Sequence, residues 1–507
     1  MSLEDNSELK KIVEYAALKN LIITQAAIDL LKESKDYQEI IDRLSDSGKN
    51  LVSEDDVKEE IVKSKTKVSS IVKEVTIKKS GFRAEAKDTE PDLRIMEEYD
   101  ITNKSNSEGK VNNFLELFRD KFEFLSSILE KRSSLKPKKI SHLKKVASGE
   151  KIDIIGMVSE KWITKKGNIA IKIEDLENEC IAVMKRDNSQ KSRDAENIIQ
   201  DDVIAIKGSK ISESMIGIDE FFWPDLEQRT PNYANRDIDL ALISDIHAGS
   251  KLFIEKELAN AIKWLSGGNQ LTNEKERQKI GKIKYLVVAG DNVDGIGVYP
   301  DQIDELAIKD LNKQYDKFTE LISQVPEYIE VIICPGQHDA VRRADPQPAI
   351  PKEYVPELSQ MNNMHFVGSP SWFEVEGLKS IIYHGASLHA LYRSVKNLDV
   401  RKPEKAIIEV LKRRSLMTGY GLYQPYIPEK KDYLLIRENP DIYFGGDMHH
   451  YGIGQYRGCT IMNSSTWQLQ TDFQKEQGHI PTPGIVLTMN LKNRQIEKKG
   501  FYQGDEQ

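Results

Sequence analysis

The chain has 507 residues, 30% of them charged, with 73 Lys and Arg against 81 Asp and Glu for a formal net charge of −8. Length sets an expectation of about three domains, no apolar run approaches the ~20 residues of a membrane span, and the N-terminus lacks a signal-peptide core, so a cytoplasmic protein with no membrane partner is expected. Cys180, Cys334 and Cys459 lie too far apart for a thiolate metal site, and the acidic balance leaves any nucleic-acid contact to local basic patches.

Residues 1–62 read as a small helical module. Leu9, Ile12, Val13, Ala16 and Ala17 recur on one helical face, as do Tyr37, Ile40, Ile41 and Leu44. Ser53-Glu54-Asp55-Asp56 reads as a capping box opening a further helix at Val57. Residues 63–110 are rich in Lys, Ser, Glu and Asp without a sustained period, which predicts a flexible linker. From Val111 to about Arg132 helical spacing returns through Phe114, Leu117, Phe118, Phe122, Leu125, Ile128 and Leu129. The lysines that follow, at 136, 138, 139, 144 and 145, read chiefly as a solvated face.

Five strands are predicted next: Lys151–Thr164, Asn168–Glu174, Glu179–Lys185, Asp202–Glu213 and Met215–Phe222, with a helix-capable stretch at 186–200. That order, with the helix between the third and fourth strands, is the order of an OB-fold. Such barrels often bind single strands by stacking bases on aromatics. Trp162 is the main exposed aromatic expected here, so a structural or subunit-contacting barrel is favoured over a DNA-reading one.

Beyond residue 238 the pattern changes. The apolar run Leu240–Ile243 stops at Ser244-Asp245-Ile246-His247, and alternation points Asp245 and His247 the same way, about 7 Å apart along the backbone. Three further apolar strands end in the same kind of residue: Tyr285–Ala289 before Asp291, Ile329–Cys334 before Gln337-His338-Asp339, and Ser380–Tyr383 before His384. A fifth, Ile442–Phe444, runs into Gly445-Gly446-Asp447-Met448-His449-His450. Any one of these histidines alone reads best as a satisfied core residue. Five strands delivering Asp and His to one sheet edge read as a two-metal site. His365 and His389 fit no motif and are expected to be structural, and His450 is an alternative to His449.

With both parts in view, Glu220-Phe221-Phe222-Trp223-Pro224-Asp225, closing a predicted OB-fold just before a phosphoesterase-like region, resembles the small subunits of archaeal family D DNA polymerases. Gly297-Val298-Tyr299-Pro300, His338-Asp339-Ala340-Val341-Arg342, Pro346-Gln347-Pro348, Tyr383-His384-Gly385, Leu411-Lys412-Arg413-Arg414 and Pro481-Thr482-Pro483-Gly484 fit the same family. The resemblance implies an α/β protein with a helix and OB-fold barrel over 111–228 and a calcineurin-like αββα sandwich over 229–507. It implies two divalent ions, Mn²⁺ or Mg²⁺. The first would take Asp245, His247, a bridging Asp291 and His449; the second would take Asp291, Gln337, His384 and Asp447. His338 would assist the leaving oxygen while Asp339 fixes its tautomer, with Asn292 and Asp294 in support. Arg342, Arg393, Lys412, Arg413 and Arg414 are expected to contact a nucleic-acid backbone.

The implied activity is 3′–5′ proofreading exonucleolysis at a single-stranded primer 3′ end, in a heterodimer with a large catalytic polymerase subunit, with a sliding clamp as a further candidate partner. Two positions depart from the family pattern, which has Asn at 337 and His at 447. Gln reaches roughly 1.5 Å further and Asp less far than an imidazole, so the changes either compensate one another or weaken the second metal. A non-catalytic scaffold subunit is the first rival reading and a stand-alone phosphoesterase the second.

Overall fold

The computed structural model describes residues 82–267 and 274–504 together with parts of 12–58. The chain forms two units, 1–81 and 82–507. In the first, helices Gln25–Lys32 and Tyr37–Asp46 enclose Ile12, Ala16, Leu31, Ile41 and Val57. Ile40, Ile41 and Leu44 face inward as expected, whereas Val13 and Ala17 are exposed and Leu9 lies outside the described residues. Ser53 and Asp56 do form a capping box: the Ser53 N–H donates to Asp56 Oδ2 at 2.8 Å and the Asp56 N–H to Ser53 Oγ at 3.4 Å. The helix it opens begins at Glu54, not Val57.

Residues 82–110 correct the expected linker, because they are ordered (63–81 lie outside the described residues). Leu93–Ile95 (β1) pairs antiparallel with the strand Ser371–Val375, and Asp100 accepts the Gly368 N–H at 2.7 Å. A polar segment that cannot bury a core of its own is held by a sheet edge that supplies backbone partners.

Lys151–Ile163 (β2), Ile169–Glu174 (β3), Glu179–Met184 (β4), Val203–Ser212 (β5) and Met215–Phe222 (β6) close a five-stranded barrel in the order β2-β3-β4-β6-β5-β2. The helix Gln190–Glu196 sits between β4 and β5, with Ser189 accepting the Ser192 N–H as its cap. The long helix Val111–Glu130 lies on the barrel wall, where Leu125 and Leu129 pack with Met157 and Val203. Among the described residues no helix is long and apolar enough to cross a membrane.

The rest of the chain is a four-layer sandwich. Its strands are Asp239–Ile243 (β7), Ile283–Ala289 (β8), Glu330–Cys334 (β9), Met364–Phe366 (β10), Ser371–Val375 (β11), Leu378–Ile382 (β12), Ile442–Gly445 (β13), Gly452–Tyr456 (β14), Cys459–Asn463 (β15), Ile485–Asn490 (β16) and Ile496–Gly500 (β17). One sheet runs β10-β9-β8-β7-β16-β17 and the other β14-β15-β13-β12-β11-β1. Leu240, Val287 and Ile332 from the first meet Phe373, Ile382 and Phe444 from the second in one shared core. Helices Glu255–Leu265 and Leu311–Ile322 cover the outer face of the first sheet, and Leu388–Ser394 and Pro403–Arg413 that of the second. Strands covered on both faces favour apolar residues on both, which is why Leu240–Ile243, Tyr285–Ala289 and Ile442–Phe444 read as unbroken runs. The five strands that end in Asp or His therefore do not share one sheet edge. β7, β8 and β9 are parallel in one sheet, β12 and β13 parallel in the other.

Candidate metal centre

The carboxyl ends of those five strands converge where the sheets meet. Asp245 and His247 follow β7, Asp291 follows β8, Gln337 and His338 follow β9, His384 follows β12, and Asp447 and His449 follow β13. Asp245, His247, Asp291, Asp447 and His449 all have positive φ, between 50° and 67°. Each such conformation costs roughly 1–3 kcal/mol, so the chain turns sharply after β7, β8 and β13 against its own preference. Glycines make room beside them: a Cβ on Gly336 would lie 2.1 Å from Asp291 Oδ1, and one on Gly446 2.7 Å from Asp245 Oδ2.

Among the described residues three donor groups result: Asp245 with His247 and His449, Asp245 with Asp291 and His384, and His247 with Asp294 and His338, of which the first two share Asp245. His449 Nε2 is 3.4 Å from Asp245 Oδ1, and His384 Nε2 is 3.2 Å from Asp291 Oδ2. Asp291 Oδ2 is also 3.9 Å from His247 Nε2, so this carboxylate lies between the first two groups while Asp245 belongs to both. The far ring nitrogens are held by the protein. His247 Nδ1 is 2.9 Å from Asp294 Oδ1, His384 Nδ1 2.6 Å from the Ala289 carbonyl, and His449 Nδ1 2.9 Å from Gln474 Nε2. Anchoring of this kind fixes which nitrogen of each ring faces the cluster.

The electrostatics are those of crowded carboxylates. Burial opposes the charged form of Asp291, but His384 and His338 prevail and hold it well below the usual carboxylate range. Burial likewise opposes charge on His384, yet Asp291, Asp245 and Asp447 raise it well above an ordinary imidazole. His338 is raised too, with Asp291 and Asp294 overcoming burial, while burial leaves His247 lowered. Acids packed this closely demand positive charge, which protonated imidazoles or divalent cations can supply. The donor set suits a cation. His384 Nε2 is buried without a hydrogen-bond partner, and the facing Nε2 atoms of His247 and His449, 3.1 Å apart, need a proton or a cation between them.

Gln337 and Asp447 stand beside the second group but hold one another, Gln337 Nε2 donating to Asp447 Oδ1 at 2.9 Å. His389, expected to be structural, places Nε2 2.9 Å from Asp447 Oδ2. Its spacing from His384, at the start of the helix Leu388–Ser394, was the available signal. His365 pairs with Glu330 away from the site, and His450 turns its ring towards His479.

Two groups of expected roles are corrected. Asp339 does not orient His338: its carboxylate accepts the Gly336 and Asn292 N–H groups and the Tyr315 hydroxyl, and burial pushes it up to about 6. Neighbours on a tight turn point apart, so His338 Nδ1 instead faces the Asp294 carbonyl at 2.7 Å. The basic cluster is dispersed. Arg413 is buried in an ion pair with Asp202, and Arg414 is buried with its guanidinium on the carbonyls of Ile436, Arg437 and Glu438. Lys412 lies on the Trp223 ring, and Arg342 is spent on the Pro346 carbonyl and Glu429. Arg393 alone of the five is exposed, over the Tyr423 ring.

Residues 240–453 match the family of DNA polymerase alpha/epsilon B-subunits. The DNA polymerase II small subunit of Methanocaldococcus jannaschii is 37% identical over 445 residues, covering 88% of this chain and 72% of the relative. That of Archaeoglobus fulgidus is 39% identical over 387 residues, 76% and 77% of the two chains. A solved archaeal phosphodiesterase aligns over 52% of this chain and 99% of its own at 14% identity, with a TM-score of 0.26, too slight a likeness to argue from.

Proposed function

The chain belongs to the small subunits of archaeal DNA polymerase II, and from that membership we propose that it is the polymerase's metal-dependent 3′–5′ exonuclease, acting beside a large catalytic subunit. In this reading the barrel is an OB-fold that docks the large subunit, and the four-layer sandwich is a calcineurin-like phosphoesterase. The observation that carries it is that Asp245 belongs to two donor groups at once, with His247 and His449 on one side and Asp291 and His384 on the other.

Those residues would hold two divalent cations, Mn²⁺ or Mg²⁺ by the hardness of a mixed carboxylate and imidazole set. Bound there, the ions supply Lewis acidity at a phosphoryl group. The chain's own side chains do the rest. Asp294, Ala289 and Gln474 hold three imidazoles at fixed angles. His338, which burial disfavours in its charged form but Asp291 and Asp294 raise, has its Nε2 3.9 Å from Asp291 Oδ2 and would donate a proton to the departing 3′ oxygen.

The test is shortening of 5′-labelled single-stranded DNA in Mn²⁺ by this chain assembled with its large subunit. Stepwise loss from the 3′ end that disappears in Asp291→Asn is expected, and equal activity in that variant overturns the assignment. The mutual grip of Gln337 and Asp447 favours a second reading, a scaffold subunit with a weakened site, and an intact strand after incubation with the wild-type assembly would establish it.

A further inference from the structure

Two exposed aromatic rings stand at the two ends of the donor cluster. At the His449 end, Phe473 is 41% exposed and stacked on Tyr299, ring centroids 5.0 Å apart and planes 24° from parallel. Tyr299 in turn lies 6.2 Å from the His338 ring, and Gln474, next to Phe473, is the residue that holds His449. At the Asp447 end, Tyr423 is 45% exposed, with the His389 ring 5.2 Å away and the Arg393 guanidinium 4.6 Å from its centre. His389 is the residue that faces Asp447. Each platform is thus one residue removed from the cluster.

We propose that Phe473 and Tyr423 stack the unpaired bases on either side of the phosphodiester held at the cluster, so that the site takes single-stranded ends and rejects paired ones. This rests on the nuclease reading above and names the residues that would select its single-stranded end. Each ring keeps exposed surface that a planar apolar surface can cover. A nucleobase offers such a surface whatever its identity, and a guanidinium beside the ring adds cation–π attraction and a charge for the neighbouring phosphate. At a paired end only the outer face of the terminal base is open, so the base on the inner side of the phosphodiester cannot stack on a ring until its strand is unpaired. Arg393 is exposed on that platform, in keeping with this partner and out of keeping with an apolar protein surface.

The experiment measures binding rather than cleavage. Fluorescence anisotropy in Ca²⁺ compares a labelled single strand with the same strand whose 3′-terminal nucleotides are abasic, using the full chain, Phe473→Ala, Tyr423→Ala and Phe473→Trp. Wild type is expected to prefer the base-bearing strand by about tenfold, each alanine variant to lose most of that preference, and tryptophan to keep it. Equal affinity of wild type for both strands, or an undiminished preference in both alanine variants, overturns the proposal and leaves the rings to a protein partner. Hydrolysis of bis(4-nitrophenyl) phosphate by wild type in Mn²⁺ is run alongside. Its absence would overturn the nuclease reading, whereas the ratio of strand affinities judges the stacking separately.

Discussion

Gln337 Nε2 donates to Asp447 Oδ1 at 2.9 Å, and these are the two positions at which the chain departs from the Asn and His that its resemblance leads one to expect. The two departures meet in one contact, a longer amide reaching a shorter acid. His389 takes the other oxygen of Asp447, and although burial opposes ionisation, His389 draws the carboxyl down to about 2. Asp447 is gripped on both sides.

Removing that grip should loosen one ion and spare the other. Partners that hold a ligand in place are worth about 10–100-fold in metal affinity. His389→Ala is expected to weaken the weaker of two Mn²⁺ steps in a calorimetric titration by at least about tenfold, with the tighter step unmoved. Equal weakening of both steps would place His389 outside the second group.

The point of truncation matters. Residues 82–110 supply an edge strand and the Asp100 contact to Gly368, so a chain beginning at residue 82 keeps the second unit whole. A chain beginning at residue 111 exposes the edge of β11 and leaves the Gly368 N–H without its carboxylate. Removing a buried partner costs about 1–3 kcal/mol, and a bare strand edge invites aggregation. Thermal melts and light scattering should show the first truncation behaving as the parent and the second melting lower and self-associating.

Arg413 should act on stability and not on DNA. Its Nε lies 3.0 Å from Asp202 Oδ1, and Asp202 Oδ2 accepts the Trp223 indole N–H at 3.0 Å, which ties the helix Pro403–Arg413 to the barrel. Removing one member of a buried ion pair costs about 3–5 kcal/mol. Denaturant unfolding of Arg413→Ala should show a loss of that order, and anisotropy on the folded protein an unchanged affinity for single-stranded DNA.

Asp432 sets a pH dependence of the opposite sign to the usual carboxylate. It is buried, Oδ2 has no hydrogen-bond partner, and burial raises it to about 6 against the pull of Lys121. An unfolded Asp titrates near 3.9, so between about pH 4 and pH 6 the folded state holds the extra proton. Stability from this group therefore falls as pH rises through that window, by at most about 1.4 kcal/mol per unit, and is level above it. Asp432→Asn should flatten the difference, so that the gap between variant and wild type in urea midpoints opens from pH 4 to pH 6.

Strand ends were legible because a buried strand writes itself as an apolar run and a ligand interrupts it. β7 and β8 are buried at every residue and stop within two residues of Asp245 and Asp291. The division of those strands between two sheets was not legible, since nothing in an apolar run says which neighbour it pairs with. Charge misled at Arg413 and Arg414, where a basic run reads as surface until Asp202 and the loop carbonyls of Ile436 to Glu438 are seen to take the guanidinium groups. At 82–110 the sequence looked too polar to fold because the apolar partner, β11, lies far along the chain.

The donors that would grip the ions are separated by more than half the sandwich in sequence, from Asp245 to His449, and no strand end carries a complete set. A chain emerging from the ribosome N-terminus first has Asp245 and His247 in place long before β13 is made, and until His449 arrives the first group lacks a member. The second group, Asp245 with Asp291 and His384, is complete earlier, so the pair of groups exists only once β13 has been made. A cation that binds only the finished fold would in turn shift the equilibrium towards it.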